Sequence, residues 1–504
     1  YDDRTSFSGW LRELLPVADP SQHWEVINAG GISYASYRVA RLVEELVHYE
    51  PDLFVIYTGH NEFLEERTYS DLRDLPGPVK TVSSLLSRTR VWAAMSSLLG
   101  RTGHEEQAAS EETFLLPDQV AAKLDHSAGL DLYERDDALR EQVIEHFRIS
   151  LERMVTAARS VDAEVLLVTP ACNLKDFSPF KSQPTDLLVD EQLERSLELI
   201  DSAYGNLENG LSAEALAAAD EALAIDPRNA DLHFLRGHAL LELERNEEAL
   251  AAYVRARDED VCPLRALTAI QQAVERVAKA RQTALVDDVA EIAAATQTKV
   301  GQPIAGQELF LDHVHPTVEG HKLLALALIE RMMELGVVRP SSGWNATGIA
   351  ATEDRIMKHL DSDLRARGLA NLSLTLNWAG KNDLSRRLAF QALETGSEDP
   401  TLLMMVARHY ALERQSGKAR EYFRRAVRSN PTSPVVHSQI GLVLFGLGDL
   451  EAATAHFFVA SVLWPDNPKV HSQLALALTR LGRLDLALLS YLEAARLDPS
   501  NTPT

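Results

Sequence analysis

The chain has 504 residues, 45% hydrophobic and 25% charged, an ordinary globular composition sufficient for about three domains. Its 74 acidic against 50 basic residues leave a formal charge of −24, a field that repels phosphate backbones and anionic membrane surfaces and excludes nucleic acid as the expected partner. The longest apolar run, Leu323 to Ile329, falls far short of the ~20 residues that cross a bilayer. The two cysteines, Cys172 and Cys262, are too few for a disulfide framework and lack zinc-ligand spacing, so they read as buried thiols and no metal or cofactor is expected.

In chain order, Ser6 and Ser8 precede a short helix, Trp10 to Leu15, and suit its cap. A β-rich run, Glu25 to Ile27, ends in Asn28-Ala29-Gly30-Gly31. An amphipathic helix, Tyr37 to His48, leads to a strand, Leu53 to Tyr57, which ends in Thr58-Gly59-His60-Asn61-Glu62. The stretch from about Ser70 to Leu139 is too long for a simple crossover; it holds one helix, Val79 to Leu99, and an acidic section, Gly103 to Glu112, expected to be mobile. Helix Leu139 to Ser160 and strand Val165 to Thr169 follow, then a polar and aromatic segment, Asn173 to Phe180, expected to line a cleft. After a helical interruption comes strand Ala284 to Val286, then Asp312-His313-Val314-His315-Pro316, opening a last helix. Apolar strands alternating with helices predict a doubly wound, flavodoxin-like parallel sheet covered on both faces, with ligands beyond the carboxyl ends of its strands.

The interruption and the C-terminal third are repetitive. Ala407, Gly441 and Ala475 are spaced by 34 residues, as are Ala419, Ala453 and Ala487. Phe423, Phe457 and Tyr491 keep the same period, followed by Ala426, Ala460 and Ala494 and by Pro431, Pro465 and Pro499. Antiparallel helices approach closely only where side chains are small, an aromatic fills the gap to the next hairpin, and proline ends each unit. The pattern resembles the tetratricopeptide repeat. A weaker unit with Leu376, Ala389 and Ala392 precedes it, so the array spans about 365–504, with Thr352 to Arg367 as a leading helix. Ala215 and Ala249, Ala222 and Ala256, with Tyr253 and Pro227, repeat the spacing between about 195 and 260, predicting two inserted hairpins. The resemblance implies an all-α solenoid whose concave face binds a protein or peptide.

The strand-end clusters carry a second resemblance. Asn28-Ala29-Gly30, Gly59-His60-Asn61-Glu62 and Asp312-His313-Val314-His315 are similar, in order and context, to the second, third and fifth blocks of SGNH (GDSL-type) hydrolases. The chain resembles bacterial fusions of such a domain to tetratricopeptide repeats. This implies a division into 1–186 and 263–340 as two parts of the hydrolase-like domain, 187–262 as inserted hairpins and 345–504 as the C-terminal array. It also implies acyl transfer on an ester-containing small molecule or acylated glycan. His315 would be the general base and Asp312 would hold its tautomer, while the Gly30 N–H and the Asn61 amide would donate to the oxyanion. His60, Glu62, Asn173 and Lys175 would border the substrate cleft.

The family's first block, which holds the nucleophilic serine, has no counterpart here, and it is expected upstream of Tyr1, where members of the fusion group often carry a membrane anchor. Three functions follow: an esterase with recruiting repeats, an interaction scaffold with an inactive hydrolase-like domain, or a module that binds acylated or carbohydrate ligands without turnover. The sequence predicts no burst of nitrophenol when residues 1–504 are mixed with a short-chain nitrophenyl ester; a burst would contradict the missing block.

Overall fold

The computed structural model describes residues 3–64, 130, 133–185, 188–358, 362–378 and 380–498. The expected helix Val79 to Leu99 and the acidic section Gly103 to Glu112 lie outside them. The chain forms two compact units, Thr5–Thr352 and one made chiefly of Glu353–Thr504.

In the first unit, the Ser6 hydroxyl accepts the Gly9 N–H at 3.1 Å and starts α1 (Phe7–Ala18). That cap gives α1 a turn more than the apolar run alone suggested. Helices α2 (Ser36–Leu46) and α3 (Asp137–Arg159) alternate with strands β1 (Leu53–Ile56) and β2 (Glu164–Val168). β3 (Ala284–Val286) lies between α8 (Thr268–Arg281) and α9 (Asp288–Val300), and α10 (Val318–Glu334) follows. The strands are parallel in the order β1-β2-β3, with Phe54 beside Val165 and Leu167 beside Leu285. β2 is central and buried from Val165 to Val168, which explains its unbroken apolar run. Its Val165 and Leu167 join Phe54, Ile56, Phe147 and Ile270 in a core beneath α2, α3 and α8. Leu166 and Val168, equally buried, alternate to the other face.

One expectation is corrected, and a second is met only in its coarser part. Glu25 to Ile27 forms no strand: it has no ladder partner among the described residues, the Val26 carbonyl is taken by Arg12 Nε at 2.7 Å, and Ile27 is 69% exposed. Three residues of suitable composition cannot make a ladder without a neighbouring strand. The sheet is parallel α/β, but its order runs in one direction. The reversal that defines a doubly wound sheet is absent among the described residues.

Between the halves of this α/β part lie α4 (Asp190–Glu208), α5 (Ser212–Ile225), α6 (Ala230–Glu242) and α7 (Asn246–Asp258), the two expected hairpins. Ala215, Ala219, Ala222, Ala249 and Ala256 are buried at the crossings. The Tyr253 ring occupies the space a side chain at Gly237 would need; a Cβ there would sit 2.9 Å from it.

After α11 (Ala346–Lys358), the second unit stacks four hairpins. They are α12 (Ser362–Trp378) with α13 (Asn382–Glu394), α14 (Pro400–Leu412) with α15 (Ser416–Ser429), α16 (Pro434–Gly446) with α17 (Leu450–Leu463), and α18 (Pro468–Arg480) with α19 (Leu484–Leu497). The expected leading helix, Thr352 to Arg367, overlaps the end of α11 and the start of α12, and its residues 359–361 lie outside the described residues. Pro400, Pro434 and Pro468 open their helices behind Asp399, Ser433 and Asn467, whose side chains accept first-turn N–H groups. Each hairpin turns on one left-handed residue: Gly380, Arg414, Gly448 and Gly482, with Gly210 and Glu244 in the inserted pair. A Cβ on Gly441 would meet the buried Phe457 ring at 2.6 Å. Gly441→Val is therefore expected to lower the urea-unfolding stability of the array by about 1–3 kcal/mol. Gly417→Ala, with open space around it, should not destabilise. Equal behaviour of the two variants would contradict the packing described.

Candidate functional site

The turn before α10 is built around one carboxylate. Phe310 and Pro316 form an antiparallel bridge, and Leu311 N donates to His315 O at 2.8 Å, so residues 312–315 project as a tight loop. Asp312 is fully buried inside it. One carboxylate oxygen accepts the Val314 and His315 N–H groups at 2.9 and 2.7 Å; the other lies 2.6 Å from His315 Nδ1. Burial alone pushes the Asp312 carboxyl up, but the charges and hydrogen bonds of His315 and His313 more than reverse this and hold it well below the usual carboxylate range. Burial pulls His315 down, and the Asp312 carboxylate outweighs it, so the imidazole lies above its ordinary value. The ring is about half exposed. With Nδ1–H committed to a carboxylate, Nε2 is the nitrogen that exchanges protons, as general base or acid chemistry requires.

The segment after β2 braces this loop. Asn173, fully buried, donates from its amide to Asp312 O and from its N–H to His313 O, both at 3.0 Å. Arg265 donates to the Asn173 and Phe177 carbonyls at 3.0 and 2.9 Å. Asp260 accepts the Phe180, Lys181 and Cys262 N–H groups, and burial pushes its carboxyl up to about 6 although Arg265 lies 3.8 Å away. His313 clusters with Phe177 and Phe180, ring centres 5.1 and 5.0 Å away, and those two rings lie 5.0 Å from each other. Lys175 pairs with Glu308 at 3.0 Å.

At the end of β1, His60 Nδ1 accepts the Ala266 N–H at 3.1 Å, which leaves the proton on Nε2. Burial first, then the charges of His313 and His315, push His60 down to about 3, which places it beside the 312–315 loop as a neutral ring. Asn61 donates its amide to Tyr34 O at 3.3 Å. The Gly30 N–H donates to Asn28 Oδ1 at 3.1 Å in an exposed turn. Glu62 is buried and accepts the Ser36 N–H and hydroxyl at 2.9 and 2.7 Å, securing the start of α2. Asp312, His315 and Asn173 are thus joined directly, with His60 as their neighbour. Gly30, Asn61, Glu62 and Lys175 are engaged in bonds of their own.

Sequence reasoning passed over Tyr57 and Asp288. The Tyr57 hydroxyl donates to Asp288 at 3.1 Å, and burial pushes that carboxyl up to about 7. The signal was present in the paired acids Asp287-Asp288 directly after β3. The inserted hairpins also reach the site: Cys172, Leu174 and Ile304, with Val314 of the loop, share a core with Ala239, Ala249 and Tyr253. Both cysteines are buried free thiols.

A family model described as tetratricopeptide repeat matches residues 201–260, 379–434 and 439–502. The chain carries tetratricopeptide repeats. No curated protein matches it. Among solved structures it is similar to "MamA MSR-1 C2" at 19% identity, covering 30% of this chain and 87% of that one, with a TM-score of 0.24. It is similar to "Crystal structure of YrrB: a TPR protein with an unusual peptide-binding site" at 19% identity, 35% and 85% coverage and a TM-score of 0.25. The "First TPR of Spaghetti (RPAP3) bound to HSP90 peptide SRMEEVD" is similar at 21% identity, 21% and 83% coverage and a TM-score of 0.19.

The two histidines should titrate apart. In nitrogen-detected NMR, His315 is expected to titrate above the ordinary 6.5 and to fall below it in Asp312→Asn, whereas His60 stays neutral across the same range. The pair's contribution to folding is lost as pH falls through the depressed Asp312 value, and the His315 share fades as pH rises through its raised one. A His315 value unmoved by Asp312→Asn would contradict the geometry.

Proposed function

We propose that the chain is an interaction scaffold whose tetratricopeptide hairpins bind a protein or peptide partner. One observation carries this reading. On the first helices of successive hairpins, Arg408, Leu442 and Leu476 repeat at 34-residue spacing and all are exposed, with Val435 and Gln439 beside them. Hairpin packing is already satisfied by buried neighbours such as Ala407, Gly441 and Ala475. Exposed Leu442 and Leu476, in line with Arg408 at the same repeat position, are spare to the fold, and such a mixed strip along a stacked array suits an extended ligand. Arg480 lies over the Phe445 ring at 5.9 Å, adding a cation near the strip.

The test is cross-linking capture from the source cells. The chain should retain a defined set of proteins, lose it in Arg408→Glu/Leu442→Glu/Leu476→Glu, and keep it in His315→Ala. Capture unchanged by the triple variant would rule the strip out.

A second reading is favoured by the Asp312–His315 pair, joined at 2.6 Å: acyl transfer of the SGNH type on an ester-containing small molecule or acylated glycan. His315 would move the proton, Asp312 would hold its tautomer, and Gly30 and Asn61 would exchange their present bonds for an oxyanion. The test is fluorophosphonate labelling of the full-length protein, with the label expected to be lost in His315→Ala. Absence of label would leave the scaffold as the reading.

A further inference from the structure

The second inserted hairpin, α6 with α7, repeats the central contact of the C-terminal array: Gly237 against Tyr253 holds the place of Gly441 against Phe457. In that register His238 and Leu241 hold the places of Leu442 and Phe445. In the array this face of the first helix meets water, with Leu442 and Leu476 48% and 44% exposed. In the inserted hairpin it is covered. Phe234, one turn before His238, is buried, and with the half-buried Leu241 it belongs to an apolar cluster that includes Cys172, Leu174 and Ile304, with Val314 packed against it. The His238 ring stands edge-on to Phe234 and Tyr253, centres 4.6 and 5.4 Å away. Burial pulls His238 down and pushes the Tyr253 hydroxyl up, and in both the first charge to act is the Asp176 carboxylate. Tyr204, the matching residue of the first inserted hairpin, is exposed, so the cover is specific to the second.

The covering segment is the one that braces Asp312. Leu174 and Lys175 donate their N–H groups to Ala305 O at 2.9 and 3.2 Å, and Asp176 accepts the Gln307 N–H at 2.7 Å, so residues 173–176 and 305–307 are tied together. Leu174 packs in the hairpin cluster, while its neighbour Asn173 holds the backbone of Asp312 and His313. The Asp176 N–H, donated to Asn173 Oδ1 at 3.0 Å, fixes that amide from the hairpin side. A hairpin that seats Leu174 and Asp176 therefore orients the residue that sets the loop.

We propose that the hairpin α6–α7 holds the chain's own residues 172–176 on the face that the array offers to a partner, and that Leu174 and Phe234 act through Asn173 as positioning residues for the Asp312–His315 pair. This inserted repeat serves the site from within, and its face is closed to a partner. The inference takes from the scaffold reading only which helix face an array presents; its test reads His315, so either may fail alone.

The test is the NMR titration of His315 in residues 1–504, its signal assigned by loss in His315→Ala. Leu174→Ala and Phe234→Ala should each move the His315 value down from its wild-type position, because a loosened Asn173 lets the loop drift from the Asp312 carboxylate. The volume-conserving Leu174→Met should keep the wild-type value. Leu199→Ala, which opens a core made only of inserted-hairpin residues, should leave His315 unmoved although it lowers the melting temperature. Should the alanine variants unfold, the milder Phe234→Leu should show a smaller shift in the same direction. A His315 value unmoved in the folded Leu174 and Phe234 variants, or moved as far by Leu199→Ala, would overturn the proposal. So would a set of partner proteins captured by the wild-type chain and lost in folded Phe234→Ala.

Discussion

A small residue where two antiparallel helices cross, with an aromatic ring from the second helix lying against it, is the contact from which the helical parts of this protein follow. Gly237 with Tyr253 and Gly441 with Phe457 are the tightest cases; in both, the ring occupies the volume that any side chain on the glycine would need. The same separation recurs for Ala407 with Phe423 and Ala475 with Tyr491. Once that contact sets the helix spacing, the left-handed turn and the proline at the next helix start fall at fixed offsets. The outward positions are then released from packing. They can be charged, as in α15, or apolar, as in α17 and α19, without changing the hairpin.

The α/β part depends on a different kind of interaction, a buried carboxylate satisfied on every side. Asp312 takes two backbone N–H groups and an imidazole, and Asn173 and Arg265 brace the backbone around it. Such a group holds its charge in a buried place because its partners offset the desolvation. The inserted hairpins are part of that arrangement. Their core takes in Cys172, Leu174, Ile304 and Val314, so repeat packing supports the segments that carry the Asp312–His315 pair.

The sequence showed the repeats clearly because their constraint is periodic: alanine, glycine and aromatic residues return every 34 positions, and the eye needs only the register. The Asp312–His315 contact was equally legible, since three residues of separation within one turn leave few other arrangements. The left-handed residues were not, because Arg414 and Glu244 stand where glycine would have signalled the turn. The Glu25 to Ile27 strand was misread because a β-rich triplet says nothing of whether a neighbour exists to pair with it. The engagements of Asn61 with Tyr34 and of Glu62 with Ser36 join residues 27 and 26 positions apart, and no local pattern announces them. The joint hold of Asp260 and Arg265 on residues 173–181 is purely tertiary, and no local pattern announces it.

The most direct test of the helix-crossing constraint is a double-mutant cycle at Gly237 and Tyr253, read by urea unfolding. Gly237→Ala alone should cost about 1–3 kcal/mol, since the ring cannot give way without leaving its site. In a Tyr253→Leu background the same change should cost less, with a coupling of about 0.5–3 kcal/mol. Losses that simply add, to within about 0.5 kcal/mol, would mean that the ring and the glycine do not set the spacing of these helices.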